Sequence, residues 1–469
     1  MGTNPSHTST ELLHPLRVSN AKYLITTSEH LASVHAAIEA AGTKTEIILF
    51  SDLLHSTPQA KTLRSHVHRE EEHVGPEPPK MGSARTRNLH DLLRDPPSPD
   101  LISPFACVQP DSTAALMPTS GTTGLPKLAA HSYRALIRQS EAIADNHSEK
   151  CYSVRRLFFT PVFHAFSSPE MLINTLRLGH PAYFMKRFDA RLLPHMIWDF
   201  EITETFAPPP ILLKLVNNED SHALIQSLRT IYTGGASLAP ELRQKFLNIF
   251  HLLPPRIVQV WGMTESGWLT TFKYPENDAS GSVGRPVSGC EITVDCNNAM
   301  QLSDGHVAGE LCVRGPSIMT GYIGAPEATC NTLINGWLRT GDVGYVHDGK
   351  VYVVDRAKDL IKVNAWQVSP TEVENALLQL PEVEDAAVVG VGHSVDEHPM
   401  VFVVRTTDKC TAQDLKQHLY QTLARYKVAH CEFRFVDSIP KSATGKILRK
   451  ELKKSVGVDA KHCGMGTLI

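Results

Sequence analysis

Apolar and polar positions along this chain alternate in short blocks that predict strands and amphipathic helices in turn. Residues 20 to 50 read as strand, helix, strand: "AKYLITT", "EHLASVHAAIEAAG" and "EIILF". Residues 56 to 112 are rich in Pro, His and charge and read as a long loop region. From residue 113, "TAALM" is a strand leading into a glycine-rich loop, and "SYRALIRQSEAIADN" has helical periodicity. "RRLFFTPVFH", "PAYFM", "ITETFAPPP", "LRTIYTGG" and "RIVQVWG" are further strand candidates, with helical segments between several of them. Alternation of this kind predicts an α/β fold, with a mostly parallel sheet flanked by helices on both faces.

From about residue 280 the pattern shifts to short strands and Gly turns, "GELCVRG" and "WLRTGDVGYVHDGKVYVVDR", which predict a small β-subdomain. Beyond Asp355 comes a compact α+β tail. Its first helix is marked by Ser369 as N-cap, Pro370 at the first helical position and Glu372 as the reciprocal cap. Strands "DAAVVGV" and "MVFVVR", a helix from about Thr411 and a basic C-terminal segment follow. The division expected is a large N-terminal domain over residues 1–355 and a smaller C-terminal domain over residues 356–469. The chain has no internal repeat.

Composition narrows the class of partner. The 469 residues are 42% hydrophobic and 20% charged, with a formal net charge of −3, an ordinary globular profile. Near-neutral charge argues against a nucleic acid or an anionic membrane as the main partner, and no apolar run approaches a membrane span. The N-terminus "MGTNPSHTSTELLHP" lacks a hydrophobic signal core, and the C-terminal "GTLI" is not the peroxisomal tripeptide, so the expected location is cytoplasmic. Nine cysteines lack any C-x-x-C pair and read as free thiols. "HVHREEEH", His66 to His73, reads as a solvated charged loop, because Pro-rich sequence follows and no second ligand group sits at metal spacing.

The chemistry begins at "LMPTSGTTGLPKLAAHS", residues 116 to 132. A Walker loop needs four residues between its glycines and then Lys and Ser/Thr. Here only Thr122 and Thr123 separate Gly121 from Gly124, and Lys127 follows Leu125 and Pro126. The run still offers backbone N–H groups, hydroxyls and a cation to phosphate oxygens, and a following helix adds its dipole only if it points at the ligand. Other segments carry matching chemistry. "YTGGASLAPEL" places a Gly-Gly turn after a strand, "QVWGMTES" ends a strand with a hydroxyl and a carboxylate, and "RTGDVG" isolates Asp342 in a Gly turn. "DRAKDLIK" and "PKSATGKILRKEL" bring cations from the second domain. Each alone has an ordinary reading as a turn, strand end or solvated face; their joint order over some 330 residues does not.

These segments, with "PVFHAF", "GELCVRGPSIMTGY" and "GWLRTGDVGY", resemble the adenylate-forming superfamily of acyl-CoA synthetases, adenylation domains and luciferases, on its 4-coumarate–CoA ligase-like branch. The resemblance runs from about residue 20 to about 455 and implies a mobile C-terminal lid domain. It implies that Thr119, Ser120, Gly121, Thr122, Thr123 and Gly124, with Lys127, orient the β- and γ-phosphates of ATP. Gly235, Ala236 and Ser237 would line the adenine and acyl sites, with Gln259 and Gly262 also at the nucleotide. Thr264 would contact the α-phosphate and Glu265 would hold Mg²⁺. Asp342 would bind the ribose hydroxyls beside Arg356. Lys446 would bridge the acyl carboxylate and the α-phosphate. Lys358 matches the hinge of the lid, and Lys362 and Gln367 match residues facing the nucleotide or the acyl-adenylate. His164 would gate the acyl pocket, with Phe166, Trp268, Leu269 and the "APPP" strand, Ala207 to Pro210, as its walls.

The implied reaction is acid activation by ATP and Mg²⁺ to an acyl-adenylate, then thioester formation with CoA. The apolar walls point to an aromatic or medium-chain acid in secondary or phenylpropanoid-like metabolism. Three departures stand out: a short region before the phosphate loop, Leu128 where Gly is usual, and Asn364 and Ala365 in place of a Lys-Gly pair on the thiol path. The shortened start predicts apolar sheet faces left exposed. The same motifs leave other readings open: an enzyme that loads a carrier protein, a truncated non-catalytic remnant, and a luciferase-like oxygenase.

Overall fold

The glycine-rich loop joins two strands of a hairpin. Strand Thr113–Pro118 pairs antiparallel with Leu128–Ser132, in the register Pro118↔Leu128 and Met117↔Ala129. The helix Tyr133–Ile143 begins only after that second strand. The computed structural model describes residues 2, 7–50, 84–89, 92, 108–119, 127–302, 305–363, 366–393, 396–442 and 445–463. Ser120 to Gly124, Asn364, Ala365 and the His66–His73 stretch lie outside the described residues. The chain divides into two compact units, residues 1–134 with 319–329, and residues 135–318 with 330–469.

In the first unit, helix Ser9–Ser19 starts at a capping box in which Thr8 and Glu11 satisfy each other's backbone N–H groups. Strands Tyr23–Thr26 and Glu46–Leu49 run parallel, joined through helix Leu31–Ala41 as expected. Thr86–Asn88 adds a third parallel strand from inside the expected loop region. Its Thr-Arg-Asn carries no apolar alternation, so only pairing in space reveals it. Leu12, Leu16, Val34, Ile38 and Ile47 form a core on one side, while Tyr23 and Ile25 are 60% and 63% exposed. A second, antiparallel sheet adds Gly321–Tyr322 to the hairpin. Leu128 is buried at 1% as the first residue of its strand, so its side chain is a core element.

The second unit is built on a seven-stranded sheet. Strands Arg156–Phe158, Ala182–Phe184, Glu204–Phe206, Thr230–Gly234 and Arg256–Met263 are parallel, as their sequence alternation predicts; Gly267–Thr271 and Arg285–Pro286 extend the sheet antiparallel. The "APPP" segment is not strand: Glu204–Phe206 ends before it, and Pro209 opens helix Pro209–Val216. Proline suits a first helical turn because its missing N–H has no intrahelical acceptor there.

The two ends of these parallel strands differ in chemistry. At their amino ends Arg156, Glu204, Thr230 and Arg256 form one row across the sheet. Arg156 pairs with Glu204 at 3.1 Å and with Glu170; Lys150 pairs with Glu204 and with Asp145 at 3.0 Å; Arg256 reaches Asp145 at 3.2 Å. All these groups are buried, and such charges persist in an interior only when paired. Against burial, which raises it, the Lys150 and Arg256 cations hold the Asp145 carboxyl down at about 2. At their carboxyl ends the same strands feed the segments singled out by motif, where open α/β sheets hold ligands.

A five-stranded antiparallel sheet follows, from Glu291–Gln301, Val307–Arg314, Leu333–Ile334, Trp337–His347 and Lys350–Arg356. The core then changes: Leu360 packs with Ala308 and Val343, whereas Ile361 belongs to the cluster of Val363, Val373, Val388, Val401 and Leu415. That cluster is built from hairpin Ile361–Val363/Trp366–Val368, strands Val383–His393, Asp396–Arg405 and Glu432–Phe435, and helices Pro370–Leu377 and Ala412–Thr422. Ser369 accepts the Glu372 N–H at 3.2 Å, as a cap should, but the expected reciprocal bond is absent. The Glu372 carboxylate instead takes Lys427 at 2.6 Å, because a buried ammonium needs a partner more than a helix end does. Among the described residues, no helix is long and apolar enough to cross a membrane, and Cys151, Cys290, Cys296, Cys312, Cys330, Cys410 and Cys431 are free thiols.

Candidate functional site

Two glycine contacts show why the sheet's carboxyl edge has its shape. Gly234 ends its strand opposite Val260, and a Cβ there would lie 2.6 Å from the Val260 carbonyl oxygen and 3.2 Å from the Phe166 ring. No side chain fits, and the chain turns at Gly235, with φ +80°, into exposed Ala236 and Ser237. Strand Arg256–Met263 then doubles back on Gly267–Thr271, with Thr264 and Glu265 at the tip. A Cβ on Gly262 would sit 2.1 Å from the Gly267 carbonyl oxygen, so the two strands approach as only glycine allows. Gln139 braces the tip from behind, donating to the Ser266 carbonyl at 3.3 Å. Gln259 is committed to structure, its amide donating to the Ser282 carbonyl at 3.1 Å.

Asp342 is held by a network that the sequence does not announce. It faces Arg356 across the strand pair, and Arg356 Nε lies 3.0 Å from its Oδ1. Its Oδ2 accepts the indole N–H of Trp261 at 2.8 Å. Its own N–H goes to the Thr340 hydroxyl, which in turn donates to the Leu311 carbonyl. Lys358 follows in the turn after Arg356, in which Asp359 and Leu360 donate to the Arg356 carbonyl.

Lys446 is presented by a tight loop. Lys441 and Ile447 bridge, Ser442 N–H donates to the Lys446 carbonyl at 2.8 Å, and Lys446 N–H donates to the Ser442 hydroxyl at 3.2 Å. Gly445, at φ +80°, comes close enough to Pro210 that a Cβ would lie 2.8 Å from its ring. Burial first, and then the Arg356 charge, pull the Lys446 ammonium down to about 8; Asp342 partly offsets this. His164 is lowered too, by burial and by the charge of Lys446. The His164 Nδ1 accepts the Phe166 N–H at 3.2 Å, which leaves Nε2 to carry the proton of the neutral ring. Lys446, Asp342, Arg356 and His164, more than 280 residues apart at the extremes, thus share one electrostatic environment.

Around it lies an aromatic stack. Phe206 stacks on Tyr232 at 5.0 Å and on Phe158 at 4.9 Å, and Phe166 lies over Trp268 at 6.2 Å. The Trp268 N–H donates to the Phe166 carbonyl at 2.7 Å. Trp268 and Leu269 are enclosed in the interior at 2% and 0% exposure and Ala207 to Pro209 are buried too, so of the expected wall residues Phe166 and Pro210 keep surface to offer. Lys362 and Gln367 are cross-strand partners in the hairpin after the core changes.

In the first unit, the neck of the phosphate loop is closed by the Thr119 N–H to the Lys127 carbonyl at 2.8 Å, and by the Lys127 N–H to the Thr119 hydroxyl at 3.2 Å. The Lys127 ammonium rests over the Tyr322 ring at 4.8 Å from its centroid. Trp261, Tyr322 and Gln139 do not stand out in the sequence, and Pro210 does so only as a wall residue expected in a strand. An aromatic or a proline reads as core or turn until its partner is known, and "QVWG" alone held a signal, the indole one residue before a selected glycine.

The family model for AMP-binding enzymes matches residues 1–323, and that for their C-terminal domain matches residues 372–446. An acyl-CoA ligase from a Phoma species, M9, is 44% identical over 99% of this chain and 83% of its own length. The acyl-CoA ligase clz12 of Cochliobolus lunatus is 48% identical over 72% of this chain and 98% of its own. Among solved structures, the anthranilate CoA ligase AuaEII aligns with a TM-score of 0.75 over 98% of this chain and 83% of its own, at 21% identity, a likeness of fold. The chain belongs to the AMP-binding enzymes, the adenylate-forming superfamily. Acyl-CoA ligases of that family use ATP, Mg²⁺ and CoA.

Proposed function

We propose that this chain is an ATP-dependent, AMP-forming acyl-CoA ligase for an apolar, aromatic or medium-chain, carboxylic acid. The observation that carries the reading is the meeting of Lys446 with Asp342, Arg356 and His164 beside an aromatic cluster. A carboxylate approaching a nucleotide phosphate meets like charge, and a desolvated ammonium held at the meeting point offsets it in the transition state. The acid oxygen bonds to the α-phosphorus as the bond to pyrophosphate breaks. A thiolate then attacks the acyl carbon and AMP leaves. Asp342 is the ribose acceptor in this reading.

Glu265 suits Mg²⁺ as a hard oxygen donor beside the Thr264 hydroxyl, since Mg²⁺ at nucleotides takes one or two carboxylates and completes its shell with phosphates and water. When bound, the ion neutralises triphosphate charge. His164, neutral and holding its Nε2 proton, leaves the Lys446 cation as the charge facing the acid. Phe166 and its neighbours favour a flat or extended apolar acyl group. The names of relatives agree with that class: a phenylacetyl-CoA ligase of Aspergillus niger is 35% identical over 97% of this chain, and 4-coumarate–CoA ligases are 34% to 37% identical over about three quarters of it.

The test is acid-dependent pyrophosphate release from ATP and Mg²⁺ over a panel of aryl, arylalkyl and medium-chain acids, followed by thioester formation. Release with at least one acid, and its acyl-CoA when CoA is added, is expected; silence across the panel from folded enzyme overturns the reading. The alternative acceptor is a phosphopantetheinylated carrier protein. Thioester on the carrier and none on CoA would establish it.

A further inference from the structure

Asp342 has four acceptor sites on two oxygens, and the protein already uses one on each. Trp261 and Asp342 are both nearly closed from solvent, at 7% and 5% exposure, and their bond is 2.8 Å long. The indole is aimed there by an irregularity in pairing: Trp261 opposes Thr270, the next residue Gly262 opposes Trp268, and Leu269 is the extra residue between. Such a bulge re-aims side chains at the end of a strand. The second oxygen takes Arg356.

The consequence follows from how carboxylates rotate. The terminal torsion of aspartate is broad and two-fold, and a guanidinium prefers to grip both oxygens as a fork. Left with Arg356 alone, the Asp342 carboxylate would turn into that fork, which swings the acceptor sites still free on both oxygens to new directions. The Trp261 N–H holds the carboxylate plane, so that the acceptor site left free on each oxygen keeps its direction toward a neighbouring hydroxyl. Those two sites match a vicinal diol.

We propose that Trp261 is a positioning residue for nucleotide recognition, acting through Asp342 on the ribose hydroxyls. The inference rests on the reading of Asp342 as the ribose acceptor. It is tested by comparing ATP with 2′-deoxy-ATP in acid-dependent pyrophosphate release. Trp261→Phe keeps a ring and removes the N–H. Its kcat/KM for ATP is expected to fall about 10-fold, mostly through KM, the worth of one hydrogen bond to a charged group. The value for 2′-deoxy-ATP should fall by less than about 2-fold, so that preference for the ribonucleotide narrows. Benzothienylalanine at position 261, which keeps the shape of the indole and lacks its N–H, should reproduce that narrowing even if Phe disturbs folding. Equal losses for both nucleotides, or no loss for either, overturn the proposal. Asp342→Asn separates the two claims. If Asp342→Asn abolishes the ribose preference and the Trp261 variants leave it intact, the Trp261 assignment alone falls. If Asp342→Asn keeps the full preference, the ribose reading falls and takes the Trp261 assignment with it.

Discussion

Lys446 has its ammonium where several cations already crowd, next to Arg356 and Lys358, with Asp342 as the compensating charge. Burial and those neighbours bring its proton affinity to about 8, against 10.5 for a free lysine. The cation is therefore present below about pH 8 and is lost as pH rises through it. If the charged form does the work, kcat/KM for pyrophosphate release falls above about pH 8, while the limb for kcat lies higher because bound phosphates favour the cation. Lys446→Arg should remove that limb up to about pH 10, since a guanidinium stays charged. Lys446→Ala should lower pyrophosphate release at least about 100-fold at every pH while ATP binding changes little. A pH profile of the three proteins decides it, and a wild-type limb that survives in Lys446→Arg would exclude Lys446 as its source.

At the scale of elements, the phosphate loop shows what a motif conceals. Its residues were identified by composition and order, yet the same composition fits a loop before a helix and the tip of a hairpin. The strand Leu128–Ser132 decided between them, and "LAAHS" reads equally well as the start of the following helix. The unusual Leu128 then has a plain explanation, because it is extended backbone with its side chain in the core. Leu128→Gly should cost about 2–5 kcal/mol of stability in the first unit, the range for emptying a buried leucine site, and should not raise activity. Thermal unfolding and pyrophosphate release measured together would show this; a more active, equally stable variant would mean the side chain obstructs the loop. The parallel strands of the second unit were readable because burial on both faces leaves near-continuous apolar runs. The row of Arg156, Glu204, Thr230 and Arg256 was not, since each residue opens a different strand and only registry puts them side by side.

At the scale of the molecule, two reactions in sequence need two settings of the same residues. Lys358, in the turn between the five-stranded sheet and the last core, is the hinge in the proposed reading. Replacing it by proline would fix its φ near −65° and restrict the preceding residue as well. Lys358→Pro is expected to keep acid-dependent pyrophosphate release within a few-fold of wild type and to slow acyl-CoA formation by more than about 10-fold. Parallel loss of both half-reactions would assign Lys358 a local role instead.

What the linear chain carried was local: alternation that made strands and helices, glycines where backbones meet closely, capping residues, and an order of motifs that defined the family. These depend on neighbours within a few residues or on chemistry that a residue type holds wherever it sits. Everything requiring a partner from elsewhere waited for the fold. Trp261 is an ordinary interior aromatic until Asp342 stands 2.8 Å from its indole nitrogen, and Lys446 is one lysine of a basic tail until Arg356 and burial lower its proton affinity. Hydrogen bonds and charge coupling act over a few ångströms of space, and the chain's order does not specify which distant residues come within that reach.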